Sequence, residues 1–260
     1  MTREFGDVSA SVGNDFVAVA EIRRPPNNFF DAELIASLAD ACEWLQDSAR
    51  AIVLCSEGKH FCAGADFGGR SGSARPVGPS GGAGELYEQA MRLFAVQVPL
   101  VAAVQGAAIG GGLGLACAAD FRVASPHARF SANFARIGLH QGFGLSVTLP
   151  MVIGRQRATE LLYTGRRISG EEALRIGLAD RLAEAGNLRD AARELAAEIA
   201  GSGPLAVRAI RATMRRGLAE EVRAALEHEL AEQEKLWRTA DFAEGVRATA
   251  ERRSPRFEGR

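Results

Sequence analysis

PLVAAVQGAAIGGGLGLACAAD, residues 99–120, is the stretch around which the chain is organised. Its first half, residues 100–105, is a short apolar run typical of a strand buried on both faces. Three glycines, Gly110 to Gly112, then precede an apolar segment whose spacing is typical of a tightly packed helix. The stretch therefore predicts a strand, a tight turn and a helix.

The glycine triplet indicates that something lies close to the main chain, because glycine carries an entropic cost. That neighbour is either another helix or a ligand. At a helix start, unpaired N–H groups and the positive end of the dipole favour an oxygen with negative character. A plain packing turn explains the triplet equally well. A dinucleotide site fits poorly, because the spacing is not G-x-G-x-x-G and Asp120 follows the turn too soon.

Composition limits the possible function classes. The chain has 260 residues, of which 47% are hydrophobic and 24% charged, and these are ordinary globular values. Its 31 Lys and Arg balance 32 Asp and Glu, so we expect neither nucleic acid nor a membrane surface as a partner. The first residues lack an apolar signal core, and no apolar run reaches membrane-spanning length. We therefore expect a cytoplasmic protein.

The four cysteines form no C-x-x-C pair, and no histidine set accompanies them at zinc spacing. We interpret them as small buried hydrophobes in a reducing compartment and expect no metal site. They are Cys42, Cys55, Cys62 and Cys117.

The flanking sequence supplies further elements. Strands are predicted at residues 16–22 and 51–55, and a helix capped by Asp31 lies between them. The Gly-, Ser- and Pro-rich residues 70–84 predict a mobile lid, binding loop or insertion, followed by a helix at 85–96. Residues 126–150 look loop-rich, and the pattern beyond residue 153 is mostly helical, with Ser169 and Glu172 spaced as a capping box.

We expect two parts, a core over residues 1–200 and a helical region over residues 201–260. The break between them is predicted at residues 201–204. Gly217 and Gly245 are expected to divide the tail, which could fold back or clasp another subunit.

Five segments together resemble one known family, the crotonase superfamily, also called the enoyl-CoA hydratase/isomerase family. They are RPPNNFF at 24–30, HFCAGADF at 60–67, VQGAAIGGGLGLACAADFRVAS at 104–125, LYTGRRISGEEALRIGLADRL at 162–182 and DFAEGVRATAERRSPRF at 241–257. The resemblance implies an α/β fold, a spiral of ββα units with a C-terminal helical trimerisation region. It also implies a homotrimer or a dimer of trimers that acts on acyl-CoA thioesters without a further cofactor.

The resemblance also implies a site. The thioester oxygen would lie between the N–H groups of Ala65 and Gly111, which stabilise the charge that reaches this oxygen in an enolate. The carbonyl of Ala63 would accept from the adenine, and Arg253 and Arg252 could reach the phosphates of a neighbour's ligand. Further substrate-binding positions are Arg24, Asn28, Phe29, Asp66, Phe67, Gly110, Gly114, Phe134, Leu139 and Gly142, with Asp66 expected to fix the oxyanion loop.

The chain departs from the family at both catalytic glutamates, where Gly114 and Phe134 stand instead. Because neither residue transfers a proton, we expect poor hydration of crotonyl-CoA. Simple isomerases that use the second carboxylate are disfavoured as well. The polar candidates that remain nearby are Asn133, Asp66, Gln141 and His140, with Glu85, Tyr87 and Glu88 after the glycine-rich loop.

His140 is the candidate titrating group, because imidazole titrates near neutral pH and no Asp or Glu lies between Asp120 and Glu160. His60, His127 and His228 are interpreted as structural or exposed. The sequence is compatible with two functions. One is enolate chemistry other than hydration, by an isomerase, C–C lyase, decarboxylase or thioester hydrolase. The other is a catalytically silent acyl-CoA-binding protein.

Overall fold

A computed structural model describes residues 1–66, 78 and 82–260. Within them the strands are β1 (Thr2–Phe5), β2 (Val8–Val12), β3 (Val17–Ile22), β4 (Ala51–Ser56), β5 (Leu100–Val104), β6 (Ala107–Ile109), β7 (Phe121–Ala124), β8 (Arg129–Ser131), β9 (Ile168–Ser169) and β10 (Arg181–Leu182). The helices are α1 (Ala32–Leu45), α2 (Ala83–Ala95), α3 (Gly111–Ala118), α4 (Leu145–Ile153), α5 (Arg155–Thr164), α6 (Gly170–Ile176), α7 (Leu188–Ala200), α8 (Pro204–Met214), α9 (Leu218–Leu236) and α10 (Ala240–Glu251). Short 3₁₀ helices span Asn133–Ile137 and Ala185–Asn187.

The strands form two sheets. The larger has the order β1-β2-β3-β4-β5-β7-β10, and the smaller has the order β6-β8-β9. From β3 onward the larger sheet is parallel, whereas β1, β2 and β3 pair antiparallel. Because β5 and β7 lie in the larger sheet and β6 and β8 in the smaller one, the chain passes from sheet to sheet in successive ββ units. The predicted α/β class with ββα units is confirmed.

The organising stretch contains one strand more than the sequence predicted. β5 is buried along its whole length, as expected, and α3 begins at Gly111. Between them, however, β6 pairs with β8 in the smaller sheet. The prediction of a single tight turn is wrong, because Gly106, with φ of +58°, turns the chain out of the larger sheet before the glycine triplet is reached.

Short sequence patterns predicted the strands and the helix near the N-terminus correctly, with the exception noted below. β3 and β4 match the predicted strands, and the Asp31 carboxylate accepts from the Leu34 N–H at 2.9 Å to cap α1. Ser169 accepts from the Glu172 N–H at 3.1 Å, but the Glu172 carboxylate pairs with Arg166 and does not complete a capping box. The N-terminal hairpin β1–β2 and helix α4, inside the region expected to be loop-rich, were not predicted.

The C-terminal helices share the main hydrophobic core. Leu226 of α9 and Phe242 of α10 pack in the same buried cluster as the inner face of the larger sheet. α7 ends at Ala200 and α8 begins at Pro204, so the chain passes from one helix to the next at the predicted break of 201–204. Gly217 precedes α9, but Gly245 lies inside α10 and does not divide the tail, because its lack of a side chain serves packing.

All four cysteines are buried free thiols, as predicted. Burial raises the pKa of Cys42 and of Cys62 to about 12. In the described part of the chain, no helix combines the length and the apolar character that crossing a membrane requires. Most of the predicted loop at 70–84 lies outside the described residues, and so does Phe67.

Candidate active site

Two backbone segments, residues 62–66 and 107–112, form the floor of a cavity. The Ile109 N–H donates to the Cys62 carbonyl at 3.1 Å, and the Cys62 N–H donates to the Ala107 carbonyl at 2.9 Å. On the other side, the Phe30 N–H donates to the Gly64 carbonyl at 3.1 Å. Main-chain hydrogen bonds therefore fix the path of the chain along the floor.

The glycine triplet lets the floor segments approach each other. A Cβ on Gly112 would overlap the Cys62 carbonyl oxygen, and a Cβ on Gly111 would overlap the Phe30 ring. Gly110 has φ of +57°, and its N–H donates to the Ser131 carbonyl at 2.8 Å. The close neighbour that the triplet indicated is therefore the protein's own chain, which agrees with the packing alternative.

Among the described residues that line the cavity, Ala65 and Gly111 present floor amides without a hydrogen-bond acceptor in the chain. In the described part of the chain, neither the Ala65 N–H nor the Gly111 N–H donates to another residue. Gly111 is the first residue of α3, so its amide has no partner within the helix. Both residues line the same cavity, and an oxygen atom with negative character is the ligand that two such donors favour.

The cavity has a volume of about 190 Å³ and is mainly apolar. Its aromatic residues are Phe29, Phe30, Tyr87, Phe134, Phe143 and Trp237. Because an apolar cavity of about 150 Å³ holds benzene, this one has room for a short acyl chain or a single ring.

The ceiling of the cavity consists of five residues on or next to α9 and α10 of the same chain, namely Gln233, Trp237, Val246, Thr249 and Ala250. A Cβ on Gly245 would lie 2.5 Å from the Ile137 Cα, and one on Gly138 would lie 2.9 Å from the Asp241 carbonyl. These two glycines bring α10 into backbone contact with the 3₁₀ helix Asn133–Ile137 and the residue after it. The tail thus folds back over its own core, one of the two possibilities left open by the sequence.

The two positions that the resemblance assigns to glutamates have different surroundings. Gly114 does not line the cavity, and a Cβ there would lie 2.6 Å from the Phe143 Cβ. Phe134 lines the cavity and is 7% exposed. Phenyl rings therefore lie at or against both positions.

His140 is not among the residues that line the cavity. Its ring is half-buried, with Nδ1 2.9 Å from the Gln141 carbonyl oxygen and its plane perpendicular to the His228 ring. The titrating role of His140 stays a prediction.

Arg24 and Asn28 do not line the cavity either. The Arg24 guanidinium pairs with Asp31 at 3.0 Å and with Asp7 at 2.7 Å. The fully buried Asn28 amide donates to the Glu57 and His60 carbonyls. Both side chains instead hold the loop that places Phe29 at the cavity.

Five further predicted positions line the cavity, and Phe67 lies outside the described residues. The structure brings together Ala63, Asp66, Gly110, Leu139 and Gly142 there. Arg253, which was expected to reach the phosphates of a neighbour's ligand, forms an ion pair with Glu244 of its own chain.

Helix α9 holds the wall loop, residues 139–144. The Tyr87 hydroxyl donates to the Gln233 Oε1 at 2.9 Å, and the Gln233 amide donates to the His140 carbonyl at 3.1 Å. The Glu229 carboxylate accepts from the N–H groups of Gly144 and Ser146, both at 2.9 Å. Sequence reasoning missed Gln233 and Glu229, because about 90 residues separate them from the loop that they hold.

Two described lining residues carry an acidic side chain, Asp66 and Tyr87. Burial raises the pKa of the Tyr87 hydroxyl well above its usual range, so this group is protonated at neutral pH. Asp66 is 5% exposed and therefore places a carboxyl group in a largely dry site. Glu85 and Glu88 are exposed on α2 and do not line the cavity.

Comparison with known proteins agrees with this architecture. The family model for enoyl-CoA hydratase/isomerase matches residues 13–260. A putative enoyl-CoA hydratase/isomerase of Bacillus subtilis is 33% identical over 253 residues, which cover 96% of this chain and 97% of that protein. The carnitinyl-CoA dehydratase of Proteus mirabilis is 35% identical over 244 residues, which cover 91% of this chain and 93% of that protein.

A solved structure gives the same result for the fold. The enoyl-CoA hydratase/isomerase from Pseudoalteromonas atlantica superposes with a TM-score of 0.84 at 31% identity, covering 97% of this chain and all of that one. The resemblance noted from the five sequence segments is thereby confirmed, and the chain belongs to the enoyl-CoA hydratase/isomerase family of the crotonase superfamily.

Proposed function

We propose that this protein binds the coenzyme A thioester of a short acyl group. Its carbonyl oxygen accepts hydrogen bonds from the Ala65 and Gly111 amides. The observation that carries the proposal is that two adjacent backbone segments each bring to one apolar cavity an amide that has no acceptor among the described residues. In comparable sites, loss of one such donor costs about 3 kcal/mol of transition-state stabilisation.

The reaction we infer is enolate chemistry other than classical hydration: isomerisation, C–C cleavage, decarboxylation or thioester hydrolysis. Gly114 and Phe134 hold the positions of the family's two glutamates, and Phe143 fills the space beside Gly114. General acid–base groups contribute about 10²–10⁴-fold to rate, so their absence makes hydration slow. The protein needs no cofactor beyond the thioester itself.

Asp66 is the carboxyl group best placed to move a proton, because it lines the cavity, whereas His140 does not. Asp66→Asn and His140→Gln separate the two candidates in a turnover assay. The variant that lowers kcat by about 10²-fold while the Kd stays within a few-fold identifies the group.

A second candidate function is acyl-CoA binding without catalysis. It is favoured by the apolar cavity, which has no glutamate among its described lining residues. A protein with this function would be stabilised by thioester binding but would convert none of the ligands.

The test is a panel of short acyl-CoA thioesters in a thermal-shift assay, followed by mass analysis of each ligand after incubation. A ligand at 100 times its Kd stabilises the folded state by about 2.7 kcal/mol, so binding is visible before the reaction is known. Crotonyl-CoA is expected to bind, with a hydration rate below about 10 s⁻¹. Failure of every thioester to bind at millimolar concentration would overturn the proposal.

We also propose a homotrimer or dimer of trimers, in the cytoplasm. Helix α8 supports the assembly, because it leaves Leu205, Ile210 and Met214 between 62% and 81% exposed. Light scattering at micromolar concentration is expected to give three or six times the chain mass, and a monomer mass contradicts it.

A further inference from the structure

We propose that Asn133 determines substrate specificity by hydrogen bonding to an oxygen substituent on one of the first carbons of the acyl chain. This inference rests on the proposed function and narrows its substrate class. The ligand would be a short acyl-CoA that carries a neutral hydroxyl or keto oxygen near the thioester.

The polar side chains of the cavity differ in whether they already form hydrogen bonds, and in the described part of the chain the buried Nε1–H of Trp237 has no partner. Tyr87 and Gln233 bond to each other, and Gln233 also bonds to the wall loop. Asp66 has an interaction within the chain. In the described part of the chain, the Asn133 carboxamide forms no hydrogen bond with another residue, although it is half-buried and lines the cavity. The exposed Thr249 lies at the mouth, where water can reach it.

Asn133 lies directly beside the floor. Its Oδ1 is 3.2 Å from the point at which a Cβ on Gly110 would lie, and Gly110 immediately precedes the amide of Gly111. The Gly110 N–H also donates to the Ser131 carbonyl, so residues 131–133 and the glycine turn are held together. A thioester oxygen at the Gly111 amide would place the next acyl carbons close to the Asn133 carboxamide.

The surroundings select a neutral substituent. A carboxamide offers both a donor and an acceptor, so it pairs with a hydroxyl or with a keto oxygen. The described lining residues include no Lys, Arg or His, and they do include the carboxyl group of Asp66. A carboxylate substituent would therefore meet no compensating cation, and its desolvation would be unfavourable.

A site that hydrogen bonds a ligand group discriminates against analogues that lack it. The experiment measures dissociation constants by calorimetry for four thioesters of similar size: butyryl-, 3-hydroxybutyryl-, acetoacetyl- and malonyl-CoA. If the protein converts one of these thioesters, its kcat/KM replaces the dissociation constant in the comparison. The wild type should bind one of the two neutral oxygenated ligands about 10-fold or more tightly than butyryl-CoA. Malonyl-CoA should be bound more weakly than acetoacetyl-CoA.

Asn133→Leu, which replaces the amide with an apolar group of similar shape, should reduce that preference to less than about 3-fold and leave butyryl-CoA binding within about 3-fold. Asn187→Leu, the same change at an exposed residue that does not line the cavity, should keep the wild-type preference. If Asn133→Leu does not fold, Asn133→Ala replaces it, and the wild-type preference is measured in any case.

Equal wild-type affinity for butyryl-CoA and both oxygenated ligands overturns the inference, and so does a preference that survives in the Asn133 variant. In both cases the proposed function stands, because thioesters still bind. If none of the four thioesters binds, the proposed function fails and the inference fails with it.

Discussion

The floor and the ceiling of the cavity are built on different principles. Main-chain hydrogen bonds between Cys62, Ala107 and Ile109 hold the floor. The ceiling depends on α9 and α10, which attach to the rest of the molecule through side chains such as Gln233 and through the Gly245 contact. From this difference we expect that a substitution in the floor lowers the stability of the whole fold. A substitution in the ceiling should mainly change the structure around the cavity. Four substitutions test this contrast, from the largest expected effect to the smallest.

Gly112→Ala should be the most destabilising, because its Cβ would overlap the carbonyl group of Cys62, which neighbouring strands hold in place. Overpacking typically costs 1–3 kcal/mol, and contact with fixed backbone puts this variant at about 3 kcal/mol or more. The denaturation midpoint measures the effect. Gly186→Ala is the control, because a Cβ there meets nothing within 4 Å. Equal midpoints for the two variants would show that the floor is not rigid.

Gly245→Ala should separate the ceiling from the fold. Its Cβ would lie 2.5 Å from the Ile137 Cα, so α10 has to move away from the 3₁₀ helix. Because α10 is the last helix and can shift away from the 3₁₀ helix, we expect a loss of about 1–2 kcal/mol. Faster hydrogen exchange confined to residues 240–251 would support the distinction. Ala243→Ser, exposed on the same helix, should leave exchange unchanged. Exchange that rises equally in β4 and β5 would contradict it.

Tyr87→Phe should loosen the wall loop without unfolding the protein. The change removes one buried hydrogen bond to Gln233, and such a bond contributes about 1 kcal/mol. The thermal midpoint measures the loss, with Tyr163→Phe as the control because Tyr163 is 79% exposed. A larger loss than that of Gly245→Ala would show that α9 matters more to the fold than α10.

Glu229→Gln should alter how stability depends on pH. Burial raises the pKa of Glu229, although hydrogen bonds from Ser146 and Gly144 and the nearby His140 oppose the shift. The folded state therefore binds this proton more tightly than the unfolded chain does. The contribution of Glu229 is fully present below its ordinary pKa of 4.5 and is lost as the pH rises through the raised value.

Chemical denaturation at a series of pH values from 4 upward measures this contribution. Glu229→Gln should lose less stability than the wild type as the pH rises above 4.5. The exposed Glu227→Gln should keep the wild-type slope. Identical slopes for wild type and Glu229→Gln would show that the carboxylate is not more protonated in the folded state.

The sequence predicted the parts of the site that depend on local chain path. The buried strand β5, the start of α3 at the glycine triplet and the Asp31 cap follow from short patterns of apolar residues, glycines and capping groups. The family resemblance added the CAGAD segment opposite the triplet. Ala65 and Gly111 could be named together for that reason, and the structure places both at one cavity.

Side chains contributed by distant elements could not be predicted in this way. Arg24 and Asn28 were expected along the ligand, yet their hydrogen-bonding groups are used inside the loop. His140 was selected from its own loop alone, and its ring packs against His228 of α9. Gln233 and Trp237 carry no local motif that indicates a ligand site, although both line the cavity.

By itself, the sequence determined the class of fold and the family, and it placed strand β5 and the start of α3, because these depend on short patterns of neighbouring residues. Only the tertiary structure decided what covers the floor and which side chains face the cavity. Gly245 shows the reason: its missing side chain is needed for contact with Ile137, more than 100 residues earlier in the chain, and no pattern within α10 reveals that contact.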